Sequence, residues 1–260
     1  MTRLYTEKIN VHYGEQRIIE DLNLVIPDQK ITAIIGPNGC GKSTSLKALT
    51  RMIPTHAGHV LLDGLQIAKQ PTKEVAKKLA ILPQTQEAAS GLTVGELVSY
   101  GRYPYQTGFG RLSKKDHTVI DWALEATQTT PFKHRVVDAL SGGQRQRVWI
   151  AMALAQETDI ILLDEPTTYL DMAHQLEVLQ LLERLNKEEK RTIVMVLHDL
   201  NQAARFADYM IAMRQGKIIR SGSCEDVMQA SVLQDVFHIN ATLTTDPNTN
   251  KPICLTYHLL

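Results

Sequence analysis

Apolar and polar positions alternate at Ile9, Val11 and Tyr13, and again at Leu22, Leu24 and Ile26 ahead of Pro27 and Asp28. That period of two predicts two strands, each burying one face, joined as an antiparallel edge sheet. The pattern then changes. Ile31 to Ile35 is a short β-rich apolar run that stops at a glycine, and a helix is expected behind it from about Lys42 to Arg51. The order is therefore strand, glycine loop, helix. Val60 to Leu62 predicts a further strand, closed at Asp63-Gly64, a dipeptide suited to a tight hairpin.

Between about Leu92 and Gln156 the period becomes helical. Thr93 and Glu96 have the spacing of a capping box, with Leu92 and Leu97 at the two positions of a hydrophobic staple, so a helix is expected to start there. Gly101 and Pro104 are expected to end it. Ser113 to Asp116 predicts another helix start, followed by Ile120, Ala123, Leu124 and Thr127 on one face. Ser141 and Gln144 repeat the capping-box spacing, which makes Leu140 to Gln144 a helix N-terminus with outward-pointing backbone N–H groups.

After this helical insert, Ile160 to Leu163 and Thr192 to Leu197 are two more apolar runs, with a helix from Met172 to Leu185 between them. Strand, helix, strand implies parallel pairing. Ligands of such sheets sit at the carboxyl ends of the strands, where Gly36, Asp164, Glu165 and His198 all fall. The last twenty residues predict a hairpin, Ala241 to Thr245 and Ile253 to His258, appended to the rest.

Composition narrows the class. A chain of 260 residues, 43% hydrophobic and 22% charged, can bury a core large enough for one α/β domain or for a core carrying one inserted subdomain. With 28 basic and 28 acidic residues it has no bulk charge for a nucleic acid or an anionic bilayer. Apolar runs such as Ile160 to Leu163 fall far short of the roughly 18 residues that span a membrane. No apolar core of signal-peptide length follows Met1, so a cytoplasmic location is expected. Cys40, Cys224 and Cys254 form no disulfide or zinc pattern, and His56 and His59 lack further ligand partners.

The chemistry is concentrated in Gly36-Pro37-Asn38-Gly39-Cys40-Gly41-Lys42-Ser43. Its glycines allow successive N–H groups to curl round a phosphate, and the following helix adds a favourable dipole for an anion. Lys42 is the candidate for the β and γ phosphates and Ser43 for Mg²⁺, while Cys40 occupies a variable position. Asp164, at the end of an apolar strand, is the expected carboxylate for Mg²⁺. Glu165 follows as the best candidate for general base on the attacking water. Pro166 predicts an extended Glu165 that projects its side chain into the site. Taken alone, His198 at a strand end, Gln84 after Ile81-Leu82-Pro83 and the strand residue Tyr13 are as readily structural as functional.

As a set, these residues resemble the nucleotide-binding subunit of an ATP-binding cassette (ABC) transporter over nearly the whole chain. Gly36 to Thr44 is similar to the Walker A loop, Ile160 to Asp164 to the Walker B strand with Glu165 as catalytic glutamate, and Leu140 to Gln144 to the family signature. Gln84 matches the Q-loop, Leu170-Asp171 the D-loop, His198 the switch histidine and Tyr13 the aromatic that stacks on adenine. The resemblance implies a P-loop (RecA-like) α/β core with a parallel sheet, an N-terminal antiparallel β edge and an inserted helical subdomain. Its expected boundaries are a cassette over 1–240, with the core at about 1–90 and 157–240 and the insert at about 91–156, followed by the 241–260 hairpin.

It also implies ATP and Mg²⁺ as cofactors, with Ser43, Gln84 and Asp164 around the metal and Lys42, Gln84, Glu165 and His198 catalytic. Two copies then pack head to tail, so that Ser141, Gly142, Gly143 and Gln144 of one copy, with Asp171, complete the nucleotide site of the other. The run Thr93 to Pro104, Gly108 to Leu112 and His198-Asp199-Leu200-Asn201 resemble ATPases of bacterial importers of ferric siderophores, haem and cobalamin, nearest the ferric hydroxamate group. Thr168-Tyr169 departs from the common Ser-Ala of the D-loop but fits that group.

Such an ATPase works at the cytoplasmic face of the membrane with a separate permease and an extracytoplasmic substrate-binding protein. Tyr100, Tyr103, Tyr105 and Phe109 would then meet the permease, or else pack the insert's own core. A soluble ABC protein without transport usually shows two cassettes, a coiled-coil insert or a basic face, none of which is visible. A phosphate-loop kinase or GTPase has no need of Leu140 to Gln144.

Overall fold

A computed structural model describes residues 2–84, 90–106 and 111–260, which form two compact units: 1–70 with 192–260, and 71–191. The first unit opens with β1 (Leu4–Tyr13), β2 (Gln16–Leu22), β3 (Val25–Ile26), β4 (Ile31–Ile35), α1 (Lys42–Leu49), β5 (Ala57–Leu62) and β6 (Leu65–Gln66). The second contains α2 (Thr72–Ala76), β7 (Leu79–Leu82), α3 (Val94–Ser99), α4 (Lys114–Ala126), α5 (Gly142–Ala155), β8 (Ile160–Asp164) and α6 (Met172–Glu189). The first resumes with β9 (Thr192–Val196), α7 (Leu200–Phe206), β10 (Tyr209–Arg214), β11 (Lys217–Gly222), α8 (Cys224–Val227), α9 (Ala230–Phe237), β12 (Ile239–Thr245) and β13 (Pro252–Leu259).

In the first unit β1 pairs antiparallel with β2, β3 and β5, and β5 with β6, so an antiparallel edge sheet forms. The strand expected over Leu22, Leu24 and Ile26 is broken, however: Leu22 ends β2, the Leu24 N–H turns to the Thr6 hydroxyl, and only Val25 and Ile26 form β3. Asp63 and Gly64 turn the β5–β6 hairpin with φ of 54° and 76°, the pair of positive values that a tight hairpin demands. β4 lies between β9 and β10, parallel to both, and all five residues of β4 and of β9 are buried. Continuous apolar runs of this kind mark strands covered on both faces. In the second unit β7 and β8 are parallel, and β8 is likewise wholly buried.

The C-terminal hairpin pairs Ile239 with Leu259 and Thr245 with Pro252. It is fastened to α7 by Asn201, whose amide donates to the Cys254 carbonyl at 3.0 Å and accepts from the Cys254 N–H at 2.7 Å. Among the described residues no helix is long and apolar enough to cross a membrane.

Both predicted capping boxes form, with Thr93 and Ser141 accepting from the backbone of Glu96 and Gln144, and the helix start expected at Ser113 carries a third, to Asp116. The α-helix ends at Ser99, close to the stop expected at Gly101, but the helical path goes on. After α3 the chain tightens into a 3₁₀ helix over Tyr100–Tyr105 that contains both residues. Gly101 is there for close approach instead: a Cβ on it would sit 2.3 Å from the Met152 carbonyl oxygen and 2.9 Å from the Ala155 Cβ, so α5 could not come as near.

This approach buries Arg102, 1% exposed, in the second unit. Its Nε donates to Asp116 and its Nη1 to Glu157 and the Ala155 carbonyl, each at 2.7 Å, and its guanidinium lies 4.1 Å from the Tyr105 ring centre. Burial alone would push the Asp116 carboxyl up, but hydrogen bonds from Ser113 and Arg102 outweigh it and hold it at about 2. Arg102→Ala removes the buried cation from both carboxylates, leaving Asp116 to Ser113 and Glu157 to Lys115, and its expected cost is about 3–5 kcal/mol, read as a lower urea midpoint. The Asp116 contribution is complete above the ordinary carboxylate value near about 4 and is lost as pH falls toward about 2. Acid unfolding of Arg102→Ala should accordingly begin at higher pH than that of the wild type; equal urea and acid midpoints would refute the role.

Candidate functional site

In the first unit the glycine loop joins β4 to α1. A Cβ on Gly36 would lie 2.2 Å from the Met213 carbonyl oxygen of β10 and 2.7 Å from the Cys40 sulfur, so only glycine lets the loop leave the strand here. Gly41 caps α1 with φ 103°. That left-handed turn aims the first N–H groups of α1 into the loop, and the helix dipole adds positive potential at the same place. Lys42 is buried, and its ammonium donates to the Gly36 and Pro37 carbonyls at 2.8 and 3.0 Å. The cation thus crosses the mouth of the loop, where an anion would compete for it.

Cys40 is buried with a thiol raised by that burial, against the lowering effect of Lys42, and its carbonyl accepts from the Gly216 N–H at 2.9 Å. Pro37, Asn38, Gly39, Ser43 and Thr44 complete the loop and the first turn of α1.

Tyr13 ends β1, opposite Gln16, and is 48% exposed. The same hairpin brings Ile18 and Ile19 of β2 within ordinary contact of the Gly41 position, so Tyr13 belongs to an element that borders the loop. His198 follows β9, whose register with β4 pairs Ile34 with Val196. Gly36 and His198 therefore leave neighbouring parallel strands at the same, carboxyl, end. His198 is exposed, and Asp199 beside it caps α7 by accepting from the Gln202 N–H at 2.8 Å.

The second unit carries the remaining candidates. Asp164 ends β8 and is buried. Glu165 next to it accepts at one carboxylate oxygen from the Gln84 amide at 2.5 Å and from the Thr168 hydroxyl at 3.0 Å. Gln84 and Glu165 are thus brought together across 81 residues of sequence. Thr168 escaped the sequence reading as a site residue, although a hydroxyl three residues after a glutamate in a turn was the available signal.

The extended Glu165 expected from Pro166 is not found. Glu165 has φ 53°, in the left-handed region, and its carbonyl accepts from the Thr168 N–H at 3.3 Å. The chain reverses at once after β8, and the two side-chain bonds on the carboxylate help to hold a conformation that costs about 1–3 kcal/mol.

Ser141 caps α5, and its own N–H is capped in return by Gln144. Ser141 and Gly142 are exposed while Gly143 is buried, so the helix start offers donors on its outer side only. Asp171 caps α6, accepting the His174 N–H at 2.9 Å and the His174 ring at 2.8 Å. These bonds hold its carboxyl below the usual carboxylate range. Tyr169 and Met172 on either side of it are strongly exposed.

Of the four aromatics in the insert, Tyr105 is committed internally, to Arg102 and to the Gln156 carbonyl. Tyr100 and Tyr103 are exposed, with Lys73 5.5 Å from the Tyr103 ring centre. Phe109 lies outside the described residues. Among the described residues no three His, Cys, Asp or Glu side chains cluster as a metal site.

The chain is similar to known proteins over most of its length. A family model described as ABC transporter matches residues 19–168. An iron(3+)-hydroxamate import ATP-binding protein of Bacillus subtilis is 61% identical over all of this chain and 97% of its own length. Among solved structures, an ABC transporter in an inward-facing conformation superposes with TM-score 0.84 at 27% identity over 98% of each chain. A bacterial ABC transporter cassette solved as a dimer gives TM-score 0.75 at 30% identity, over 85% of this chain and 98% of its own.

Proposed function

The chain belongs to the ABC transporter family, and from that membership we propose that it is the ATP-hydrolysing subunit of a bacterial importer energising uptake of an iron(III)-siderophore of hydroxamate type. The observation that carries this reading is 61% identity, end to end, with a hydroxamate-import ATP-binding protein. At that level the loop, strand-end and helix-cap residues described above are expected to keep their roles.

In this proposal ATP lies on residues 36–44 with its adenine against Tyr13. The loop N–H groups and Lys42 neutralise the β and γ phosphates, which lowers the charge that the attacking water must approach. Glu165 accepts the proton of that water, with Gln84 and Thr168 holding its carboxylate in place, and His198 contacts the γ phosphate from its strand end. The hydroxyl of Ser43, the carboxylate of Asp164 and the amide oxygen of Gln84 are all hard oxygen donors, a set that fits Mg²⁺. Gln84 suits this role because it engages Glu165 through its nitrogen, leaving oxygen as the ligating end. Mg²⁺, when bound, supplies further neutralisation of phosphate charge.

Two copies of the chain close on ATP, so that the helix start at Ser141, Gly142, Gly143 and Gln144, with Asp171, completes the partner copy's site. The dimeric structure of a similar cassette supports the pairing of two copies. Contacts made only in the closed dimer let ATP binding and hydrolysis drive a two-state motion.

Residues 91–156 form the helical subdomain that receives the permease, through a surface including Tyr100 and Tyr103. The assembly sits at the cytoplasmic face of the membrane, with a substrate-binding protein on the other side. Because the iron chelate is bound by those other chains, the decisive experiment is genetic and biochemical. The tagged chain should co-purify with a membrane permease, and its deletion should abolish growth on a ferric hydroxamate as sole iron source while sparing growth on free iron. Undiminished growth on the hydroxamate would overturn the assignment.

A further inference from the structure

The ring of His174 touches two functional stretches of the second unit at once. On one side its Nδ1 donates to one carboxylate oxygen of Asp171 at 2.8 Å while its backbone N–H donates to the other at 2.9 Å. Both oxygens of Asp171 are thereby engaged by a single residue, which fixes the side chain's rotamer. On the other side the ring lies against Gly143, the second residue of α5. A Cβ at Gly143 would be 2.7 Å from the imidazole Cδ2, 2.9 Å from Cγ and 3.3 Å from the His174 Cβ, so no larger residue fits while the imidazole is present. The ring is about half-buried between the two, at the third position of α6.

We propose that His174 is a positioning residue for ATP hydrolysis: its imidazole is the spacer that fixes the start of α5, with Ser141, Gly142 and Gly143, relative to the Asp171 turn. Removing it leaves Asp171 held by the backbone N–H alone and opens a gap beneath Gly143. A misplacement of about 1 Å at such positions weakens catalysis without touching the reacting atoms. The bonding also explains why glycine stands at 143. Gly142 has nothing within 4 Å of the position its Cβ would take, whereas Gly143 would strike the ring. The inference rests on the proposed reading, in which both stretches serve a partner copy's nucleotide.

The test uses the full-length chain and compares His174→Ala, His174→Asn, Gly143→Ala and the double variant. His174→Ala is expected to lower kcat on the order of 10-fold while the affinity of the isolated chain for ATP stays within about twofold. His174→Asn, whose amide N–H can replace Nδ1–H toward Asp171, should recover at least about half of the wild-type kcat. Gly143→Ala should be damaging alone, yet add no more than about twofold to His174→Ala, because the clash is gone.

Wild-type kcat in His174→Ala, no recovery in His174→Asn, or an equal penalty for Gly143→Ala in both backgrounds would overturn the inference. If His174→Ala does not fold, the comparison of His174→Asn with Asp171→Asn decides it. A positioning role requires His174→Asn to be the more active of the two. Failure of the underlying reading has a different signature, since the wild-type chain would then not hydrolyse ATP or would be insensitive to Glu165→Gln.

Discussion

Glu165→Gln is expected to reduce ATP turnover by at least about 10²-fold, the lower end of what a positioned general base contributes, while ATP binding persists. Glutamine keeps the size of glutamate and still offers an oxygen to the Thr168 hydroxyl, which donates to Glu165 at 3.0 Å. What it lacks is a carboxylate that can take a proton. The turn over residues 165–168 is held by the backbone bond from Thr168 N–H to Glu165 carbonyl, which the substitution leaves alone. Binding and chemistry should therefore separate cleanly. Single-turnover phosphate release measures the loss, and size-exclusion in the presence of ATP should show the variant accumulating as a dimer. Turnover within about 10-fold of wild type, or a variant that stays monomeric with ATP, would remove Glu165 from the role.

The left-handed Glu165 was invisible to a reading by local rules. Pro166 disfavours helical backbone before it, and an extended residue followed from that rule. The rule lost to two other requirements, the immediate reversal after β8 and the long-range bond from Gln84, 81 residues earlier. Strain of this kind concentrates where function needs a group held in one place. Local signals did well wherever the determinant itself was local. Capping boxes at Thr93, Ser113 and Ser141 need only four residues each, and Asp63-Gly64 carries its own turn.

Arg102 and Gly101 show the opposite case. A glycine and a proline after a helix read as a stop, yet Gly101 serves contact with α5 fifty residues on, and the 3₁₀ continuation through Pro104 buries a cation whose partners are Asp116 and Glu157. Nothing near Arg102 in sequence announces those partners. The same holds for His174. Its spacing from Asp171 is that of an ordinary helix cap, and its contact with Gly143 emerges only when α5 and α6 are side by side. For the glycine loop the sequence was sufficient because the chemistry is carried by backbone N–H groups and one lysine within eight residues.

Lys42→Ala is the second large effect, and its direction follows from what the ammonium does in the structure. Lys42 is 5% exposed, and its charge is satisfied by the Gly36 and Pro37 carbonyls. Alanine removes the cation but leaves Gly36, Gly41 and the α1 start, so the loop should keep its path. The phosphates then meet only backbone donors and the helix dipole, and lose a charge-assisted hydrogen bond that typically contributes about 1.5–3 kcal/mol. That corresponds to an ATP affinity weakened by roughly 10-fold to 150-fold. Unlike Glu165→Gln, this variant should fail at binding, so the ATP-dependent dimer should not accumulate. Titration calorimetry with ATP, beside a thermal melt without nucleotide, separates the two outcomes. A Lys42→Ala protein with wild-type melting and wild-type ATP affinity would mean that the lysine only braces its own loop.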